Sequence, residues 1–232
     1  AIRKVTDVFN SKHRKALLVM ATGSGKTRTA AALSDLLTKT NWAKRVLFLA
    51  DRNALVTQAK NDFKDHKLVG VDITKEKSDE TNRLIFSTYP TMMNRIDTIE
   101  GNGLRRYGVG HFDVIIIDEA HRSIYKKYQA IFEYFDALLL GLTATPKEEI
   151  DKNTYEVFDL QTKAPTDFYD LPQAVTDGYL VPPKAYSIDL GFPQRGINYD
   201  TLSEEQKAIY ERTFLDNNLP VPNKIPKGKI NS

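Results

Sequence analysis

The chain has 232 residues, of which 41% are hydrophobic and 27% charged, a balance typical of a soluble globular protein. It contains no cysteine, which excludes disulfide bonds and thiolate metal sites and is compatible with a reducing cytosol. The net charge of +3 neither indicates nor excludes a nucleic-acid partner, because a basic stripe can lie within a balanced total.

The start of the chain carries no signal-peptide pattern, and no apolar run approaches the length of a membrane span. We therefore expect no membrane association. The chain opens at Ala1, without an initiator methionine and already inside a predicted helix, so we expect a fragment of a longer protein.

Apolar runs between polar or glycine-containing segments predict the strands of one sheet. In chain order they are residues 16–20, 46–50, a short strand within 68–73, 84–87, 112–117 and 137–141, with a further alternating segment at 184–190. Helical spacing or composition predicts helices at residues 1–11, 29–37, 55–63, 90–94, 125–135 and 171–179. Asp51 and Asn53 are the expected N-caps of the third helix, and Pro90 is placed to start the fourth.

Strands that alternate with helices over residues 12–146 predict an α/β fold with a doubly wound parallel sheet and helices on both faces. We expect this domain to cover residues 1–190 and a C-terminal extension and linker to cover residues 191–232. In the extension, Ser203 and Gln206 have the spacing of a capping box at the start of a charged helix. Residues 95–111 show little periodicity and predict an exposed loop.

The stretch from Ala16 to Thr27 combines a buried strand, a glycine-containing turn and the start of a helix. This order describes a phosphate-binding P-loop, although the usual consensus has glycine at the position of Met20. Glycines let the backbone wrap a phosphate, Lys26 would reach the β- and γ-phosphates, and the Thr27 hydroxyl would bind Mg²⁺. Taken alone, the stretch could also be an ordinary strand–turn–helix. The predicted ATP-binding residues are Thr22, Gly23, Ser24, Gly25, Lys26, Thr27 and Arg28.

A second motif, Asp118-Glu-Ala-His121, follows directly after the predicted strand 112–117. A carboxylate at the carboxyl end of a parallel strand lies on the sheet edge where α/β proteins bind ligands, and the P-loop lies on the same edge. Asp118 can hold Mg²⁺ together with Thr27, since Mg²⁺ keeps several waters. Glu119 would orient and activate the water that attacks the γ-phosphorus. The two motifs together predict an ATP-binding protein with Glu119, Lys26 and Asp118 as catalytic residues.

With these motifs the chain resembles the superfamily 2 helicases and translocases of the DEAH-box type. Leu49 to Leu55 with Gln58 looks like motif Ia, Ser87-Thr-Tyr89 like motif Ib, and Gly141 to Pro146 like motif III. Longer runs at residues 18–29, 41–52, 118–158 and 177–184 are similar to the motor (R) subunit of type I restriction endonucleases. The resemblance implies a RecA-like motor domain of the P-loop NTPase class.

The resemblance also implies roles and partners. Arg52, Asn53, Gln58, Ser87 and Thr88 would contact a nucleic-acid backbone, and His121, Thr143 and Thr145 would couple that contact to the ATP site. In the intact enzyme, ATP hydrolysis would drive translocation along double-stranded DNA before endonucleolytic cleavage. The implied partners are the modification and specificity subunits, with a second motor domain and a nuclease domain of the same full-length chain, in the cytoplasm of a bacterium or archaeon.

The sequence departs from the family pattern in three respects. It shows no nuclease signature, no second motor domain with the arginine that completes the ATP site, and no glutamine at its start to read adenine. Without that arginine, we expect the fragment alone to hydrolyse ATP slowly. Two alternatives stay open: a superfamily 2 DNA helicase or repair motor, and a nucleotide-dependent DNA-binding module without fast catalysis.

Overall fold

The computed structural model describes residues 1–76, 82–96, 98–99, 103, 105–120, 124–145, 149–150, 152–182, 197–215 and 221–225. Its helices are α1 Ile2–Asn10, α2 Lys26–Lys39, α3 Asn53–Asp65, α4 Tyr89–Ile96, α5 Ile124–Tyr134, α6 Lys152–Val157, α7 Leu171–Thr176 and α8 Glu204–Leu215. Its strands are β1 Lys15–Met20, β2 Val46–Ala50, β3 Val71–Asp72, β4 Leu84–Thr88, β5 Val114–Ile117, β6 Leu138–Thr143, β7 Asp167–Tyr169, β8 Ile197–Asn198 and β9 Lys224–Ile225.

The chain divides into two compact units, Ala1–Pro182 and Pro183–Ser232. The first unit contains a seven-stranded sheet in the order β3-β4-β2-β5-β6-β1-β7. All of its strand pairs are parallel. The predicted doubly wound parallel sheet is therefore confirmed.

The sheet has a hydrophobic core on each face because alternate residues of its apolar strands point in opposite directions. In β1, Leu17 and Val19 belong to the core that also contains side chains of α4, α5 and α6. Ala16, Leu18 and Met20 belong to the opposite core, which contains side chains of α1, α2 and α3. Burial on both faces explains why these strands are continuous apolar runs in the sequence.

Two elements of the first unit were not predicted, α6 and β7. Strand β7 is only three residues long and partly exposed, so it has no buried apolar run to reveal it. It pairs with β1 at the edge of the sheet, where Met20 lies opposite Tyr169. The P-loop strand thus has an extra neighbour that the sequence pattern did not indicate.

Two local predictions for this unit were wrong. The N-cap of α3 is Arg52, in an extended conformation and without a side-chain capping bond, so neither Asp51 nor Asn53 caps the helix. Tyr107, in the segment predicted as an exposed loop, is only 1% exposed and packs against the ring of Phe112. An aromatic side chain therefore anchors a segment whose periodicity is too weak to indicate burial. The strand predicted at 184–190 lies outside the described residues.

The second unit contains α8, a short 3₁₀ turn at Tyr199–Thr201 and an antiparallel pair of β8 and β9. The predicted capping box is confirmed. The Ser203 amide donates to Gln206 Oε1 at 3.0 Å, and the Gln206 amide donates to Ser203 Oγ at 3.3 Å. Strand β9 lies within residues that the composition indicated as linker. Among the described residues, no helix combines the length and apolarity needed to cross a bilayer.

Candidate functional site

The P-loop runs from the end of β1 at Met20 to the start of α2 at Lys26. Gly23 and Gly25 have φ values of +80° and +94°, in the left-handed region where glycine avoids a steric clash. The amide and the hydroxyl of Ser24 both donate to the Ala21 carbonyl, at 3.1 and 2.7 Å, and this closes the turn. Gly25 is the N-cap of α2 and offers no capping side chain, so the first helical amides can face an external anion.

The acidic pair lies on the same edge of the sheet. Asp118 and Glu119 follow the end of β5, and only β6 separates β5 from the P-loop strand. Neighbouring strands are about 4.8 Å apart, which puts the two strand axes about 10 Å apart. Glu119 has a φ of +54°, a left-handed conformation that is uncommon for a residue with a side chain.

Lys26 interacts electrostatically with this acidic pair. Burial lowers the pKa of the Lys26 ammonium, while the carboxylates of Glu119 and Asp118 oppose that shift. Burial and, to a lesser extent, the neighbouring Glu119 charge raise the pKa of Asp118 to about 6, even though a backbone hydrogen bond from Glu119 and the charge of Lys26 lower it. One ammonium and two carboxylates therefore share a partly desolvated space with an excess of negative charge.

A divalent cation fits this charge arrangement. In the part of the chain that the structure describes, no cluster of three or more His, Asp or Glu side chains could hold a metal on its own. Mg²⁺ needs no such cluster, because one or two protein oxygens, waters and phosphate oxygens complete its shell. The Asp118 carboxylate and the hydroxyl of the half-buried Thr27, at the first turn of α2, could supply such protein oxygens.

Three hydrogen bonds fix the turn that carries the acidic pair. The Asp118 amide donates to the Leu49 carbonyl at 2.9 Å, and the Ala120 amide donates to the Leu142 carbonyl at 2.8 Å. The phenol of Tyr89 donates to the Asp118 carbonyl at 3.0 Å. Sequence reasoning placed Tyr89 in motif Ib but assigned it no part in this site, since no local pattern links residues 29 positions apart.

Two of the three predicted coupling residues, Thr143 and Thr145, lie in the segment beside this turn. Thr143 ends β6 fully buried, and its hydroxyl accepts a hydrogen bond from the Thr145 amide at 3.1 Å. The bond from Ala120 to Leu142 joins the acidic motif directly to this strand end. His121 lies outside the described residues, so its expected coupling role stays a prediction.

The predicted DNA-contact residues fall into two groups. Arg52, Asn53 and Gln58 are exposed at the start of α3. Asn53 and Gln58 line a groove of about 680 Å³, whose other walls are Ala54, Thr57, Asn61, Asp62 and Lys75.

Ser87 and Thr88, by contrast, are 0% and 6% exposed. The Ser87 hydroxyl donates to the Thr88 carbonyl, and the Thr88 hydroxyl bonds to that of Thr91. Contacts of these two residues with DNA stay a prediction that their burial does not support.

A segment that sequence reasoning did not connect to the P-loop lies against it. The Ala21 amide, at the start of the turn, donates to the Tyr169 carbonyl of β7 at 2.9 Å. A hydrogen bond to Asp177 raises the pKa of the Tyr169 phenol to about 12 and ties β7 to the end of α7. Beyond α7, a methyl carbon of Leu180 lies 3.3 Å from where a Cβ of Gly23 would stand.

The parallel sheet carries a P-loop after β1 and an acidic pair after β5, with β6 between these two strands. This arrangement defines a RecA-like P-loop NTPase. Residues 1–148 match the family described as "Type III restriction enzyme, res subunit", and the chain belongs to that family.

Individual relatives come from type I restriction enzymes. The chain is 35% identical over 205 residues to the type I restriction enzyme EcoAI endonuclease subunit of Escherichia coli. The aligned region covers 84% of this chain and 24% of that protein. It is 27% identical over 268 residues to the EcoKI endonuclease subunit of Escherichia coli K12, covering 96% of this chain and 22% of that protein. The chain thus spans about a quarter of the length of these relatives.

A solved fragment described as an HsdR subunit of a type I restriction enzyme from Vibrio vulnificus YJ016 has the same fold. It matches with a TM-score of 0.57 and 28% identity, over 76% of this chain and 30% of that one. The predicted resemblance to a superfamily 2 motor of the type I R-subunit kind is confirmed.

Proposed function

We propose that this chain is the first RecA-like motor domain of a type I restriction enzyme R subunit. The observation that carries the proposal is the convergence of Lys26, Asp118 and Glu119 at the carboxyl edge of the sheet, beside a turn whose glycines Gly23 and Gly25 have left-handed φ values. Residues 1–190 would form the ATP-binding domain, and residues 191–232 an extension toward a second motor domain. The break between compact units after Pro182 is compatible with this division.

The proposed reaction is hydrolysis of ATP to ADP and phosphate. Amides and side chains of residues 22–28 hold the triphosphate, with Lys26 at its β- and γ-phosphates. Thr27 and Asp118 would hold Mg²⁺, which when bound neutralises phosphate charge. Glu119 accepts a proton from water as the water oxygen attacks the γ-phosphorus and the bond to the bridging oxygen breaks.

Coupling and DNA contact involve further residues. His121, Thr143 and Thr145 would transmit the state of the ATP site, and the bond from Ala120 to Leu142 supports a direct path to motif III. Arg52, Asn53 and Gln58 would contact the phosphates of double-stranded DNA, which their exposure supports. Ser87 and Thr88 complete the predicted set.

In the intact protein we propose that hydrolysis drives translocation along double-stranded DNA before cleavage. A second motor domain would supply the arginine that completes the ATP site, and a nuclease domain of the same chain would cut the DNA. Modification and specificity subunits would be its partners, in the cytoplasm of a bacterium or archaeon. The type I relatives support this assembly. The chain spans only about a quarter of their length, so the other domains would lie in the part of the protein that this chain does not cover.

Binding of MgATP to this chain is the first test, measured by titration with a fluorescent ATP analogue. Lys26→Ala should weaken binding roughly 10- to 100-fold, because it removes a charge-assisted contact. Lys39→Ala, at the exposed far end of the same helix, is the matched control and should leave binding unchanged. Absence of MgATP binding in the unsubstituted chain would contradict the proposal.

Hydrolysis is tested in the intact protein with duplex DNA present. Glu119→Gln should keep MgATP binding within about threefold and lower turnover roughly 10²- to 10⁴-fold, since binding does not need the base. Displacement of a triplex strand without unwinding of the duplex would support translocation, whereas strand separation would favour a helicase or repair motor. An unchanged turnover in Glu119→Gln would show that Glu119 is not the base.

A further inference from the structure

Tyr89 occupies the junction between motif Ib and the acidic turn. It directly follows Thr88 at the end of β4 and is the first residue of α4. Its side chain has no exposed surface, although a tyrosine carries a polar hydroxyl that must find a partner when buried. That partner is the main-chain carbonyl of Asp118, at 3.0 Å.

The ring of Tyr89 is held by the helix that follows the acidic motif. It stacks on Tyr128 of α5, with ring centres 5.4 Å apart and planes at 20°, and meets Phe132 edge-on at 6.4 Å. The ring is therefore fixed in position and in tilt. Its hydroxyl cannot leave the Asp118 carbonyl without disturbing this aromatic packing.

The carbonyl that Tyr89 holds belongs to the peptide bond between Asp118 and Glu119. Glu119 itself has a φ of +54°, a left-handed backbone conformation that a side chain disfavours. Such a conformation persists only where the surroundings determine it. The amides of Asp118 and Ala120 are each bonded to a neighbouring strand. Between them, the Glu119 amide bonds to the Asp118 carboxylate, and Tyr89 adds a bond to the carbonyl of the same peptide.

Packing alone does not require this hydroxyl. A phenylalanine would fill the same space and keep both ring contacts, while leaving the carbonyl of Asp118 without the phenol. The hydroxyl therefore acts on one peptide plane, the plane that orients the proposed base.

We propose that Tyr89 is a positioning residue for the hydrolysis described above, on which this inference rests. Its hydroxyl holds the peptide between Asp118 and Glu119 and so keeps Glu119 in the conformation from which its carboxylate takes a proton from water. Tyr89 acts through Glu119 and transfers no proton itself.

The test compares Tyr89→Phe with Tyr134→Phe in the intact protein. Tyr134 is a matched control, because its phenol also donates to a main-chain carbonyl, that of Tyr107, away from the acidic turn. Tyr89→Phe should lower kcat for ATP hydrolysis with duplex DNA about fivefold, which corresponds to about 1 kcal/mol, while KM and Kd for MgATP stay within twofold. Tyr134→Phe should leave kcat unchanged.

A double substitution separates positioning from a general effect on folding. In a Glu119→Gln background the base is already absent, so adding Tyr89→Phe should not lower the residual rate further. An equal fall in both backgrounds, or a parallel rise in the Kd for MgATP, would overturn the proposal. So would a kcat of Tyr89→Phe within twofold of the unsubstituted enzyme.

Hydrogen exchange gives a reading that does not depend on activity. Peptides that contain Glu119 and Ala120 should exchange at least about threefold faster in Tyr89→Phe than in Tyr134→Phe, because a bond fixing the turn is lost. Unchanged exchange there would refute the positioning role. A protein that neither binds nor hydrolyses ATP, yet shows the faster exchange, would contradict the proposed function and leave the role of Tyr89 in the turn intact.

Discussion

Replacement of Asp118 by asparagine should stabilise the ligand-free chain, although it removes a residue proposed for Mg²⁺ binding. The carboxylate of Asp118 is partly buried beside Glu119, and its pKa rises from 3.8 to about 6 on folding. That difference corresponds to about 3 kcal/mol of preference for the neutral form. Because solvent reaches part of this half-buried group, we expect about 1–2 kcal/mol of stabilisation, or roughly 2–6 °C in Tm.

The sign of the pH dependence follows from the direction of the shift. A carboxyl whose pKa is higher in the folded state favours folding when it is protonated and opposes folding when it is charged. The penalty from Asp118 is absent below about pH 4, grows as the pH rises through 6, and is complete at neutral pH. Asparagine carries no such penalty at any pH. The gain in stability of Asp118→Asn should therefore be full at pH 7.5 and vanish toward pH 4.

Thermal and urea unfolding in the presence of EDTA would measure this gain at both pH values. Asp7→Asn is the control, since it removes the same charge from a side chain on α1 that is 66% exposed, and it should change stability by less than about 0.5 kcal/mol. With saturating MgATP the order should reverse, because ligand binding stabilises the unsubstituted chain more. An Asp118→Asn chain that is less stable at pH 7.5 in EDTA, or equally stabilised at pH 4, would refute the reasoning.

Two further predictions concern glycines. Gly141→Ala would place its Cβ 2.4 Å from the ring of Phe158, so it should lower the free energy of unfolding, measured by urea titration, by about 2 kcal/mol. The control Gly110→Ala places its Cβ where no atom lies within 4 Å, so it should leave the free energy of unfolding nearly unchanged. Gly23→Ala should weaken MgATP binding more than tenfold, because its φ of +80° disfavours alanine and strains the P-loop. Gly103→Ala, with a φ of +78° and open space, should cause only the backbone strain and leave the Kd unchanged.

The sequence predicted the sheet well where strands are buried on both faces. The apolar runs that became β1, β2, β4, β5 and β6 are visible because every position faces one core or the other. Strand β7 lies at the edge and is partly exposed, so its three residues carry no such pattern. The capping box of α8 was predicted because all of its bonds lie within four consecutive residues.

The candidate site also combines features that local sequence patterns predict with features that they do not. The P-loop was predicted because it is one contiguous segment whose glycines adopt the left-handed conformation. The link from Tyr89 to Asp118 depends on how separate strands and helices pack, and no local pattern records it. Burial of Ser87 and Thr88 is likewise a tertiary property, since serine and threonine are mostly exposed residues.

The sheet ends on both sides in very short strands. Strand β3 has two residues and β7 has three, whereas the interior strands have four to six. An incoming strand from another molecule could form only a few main-chain hydrogen bonds at either border. The architecture therefore limits edge-to-edge polymerisation of the sheet, a hazard for any protein whose centre is a wide and apolar set of parallel strands.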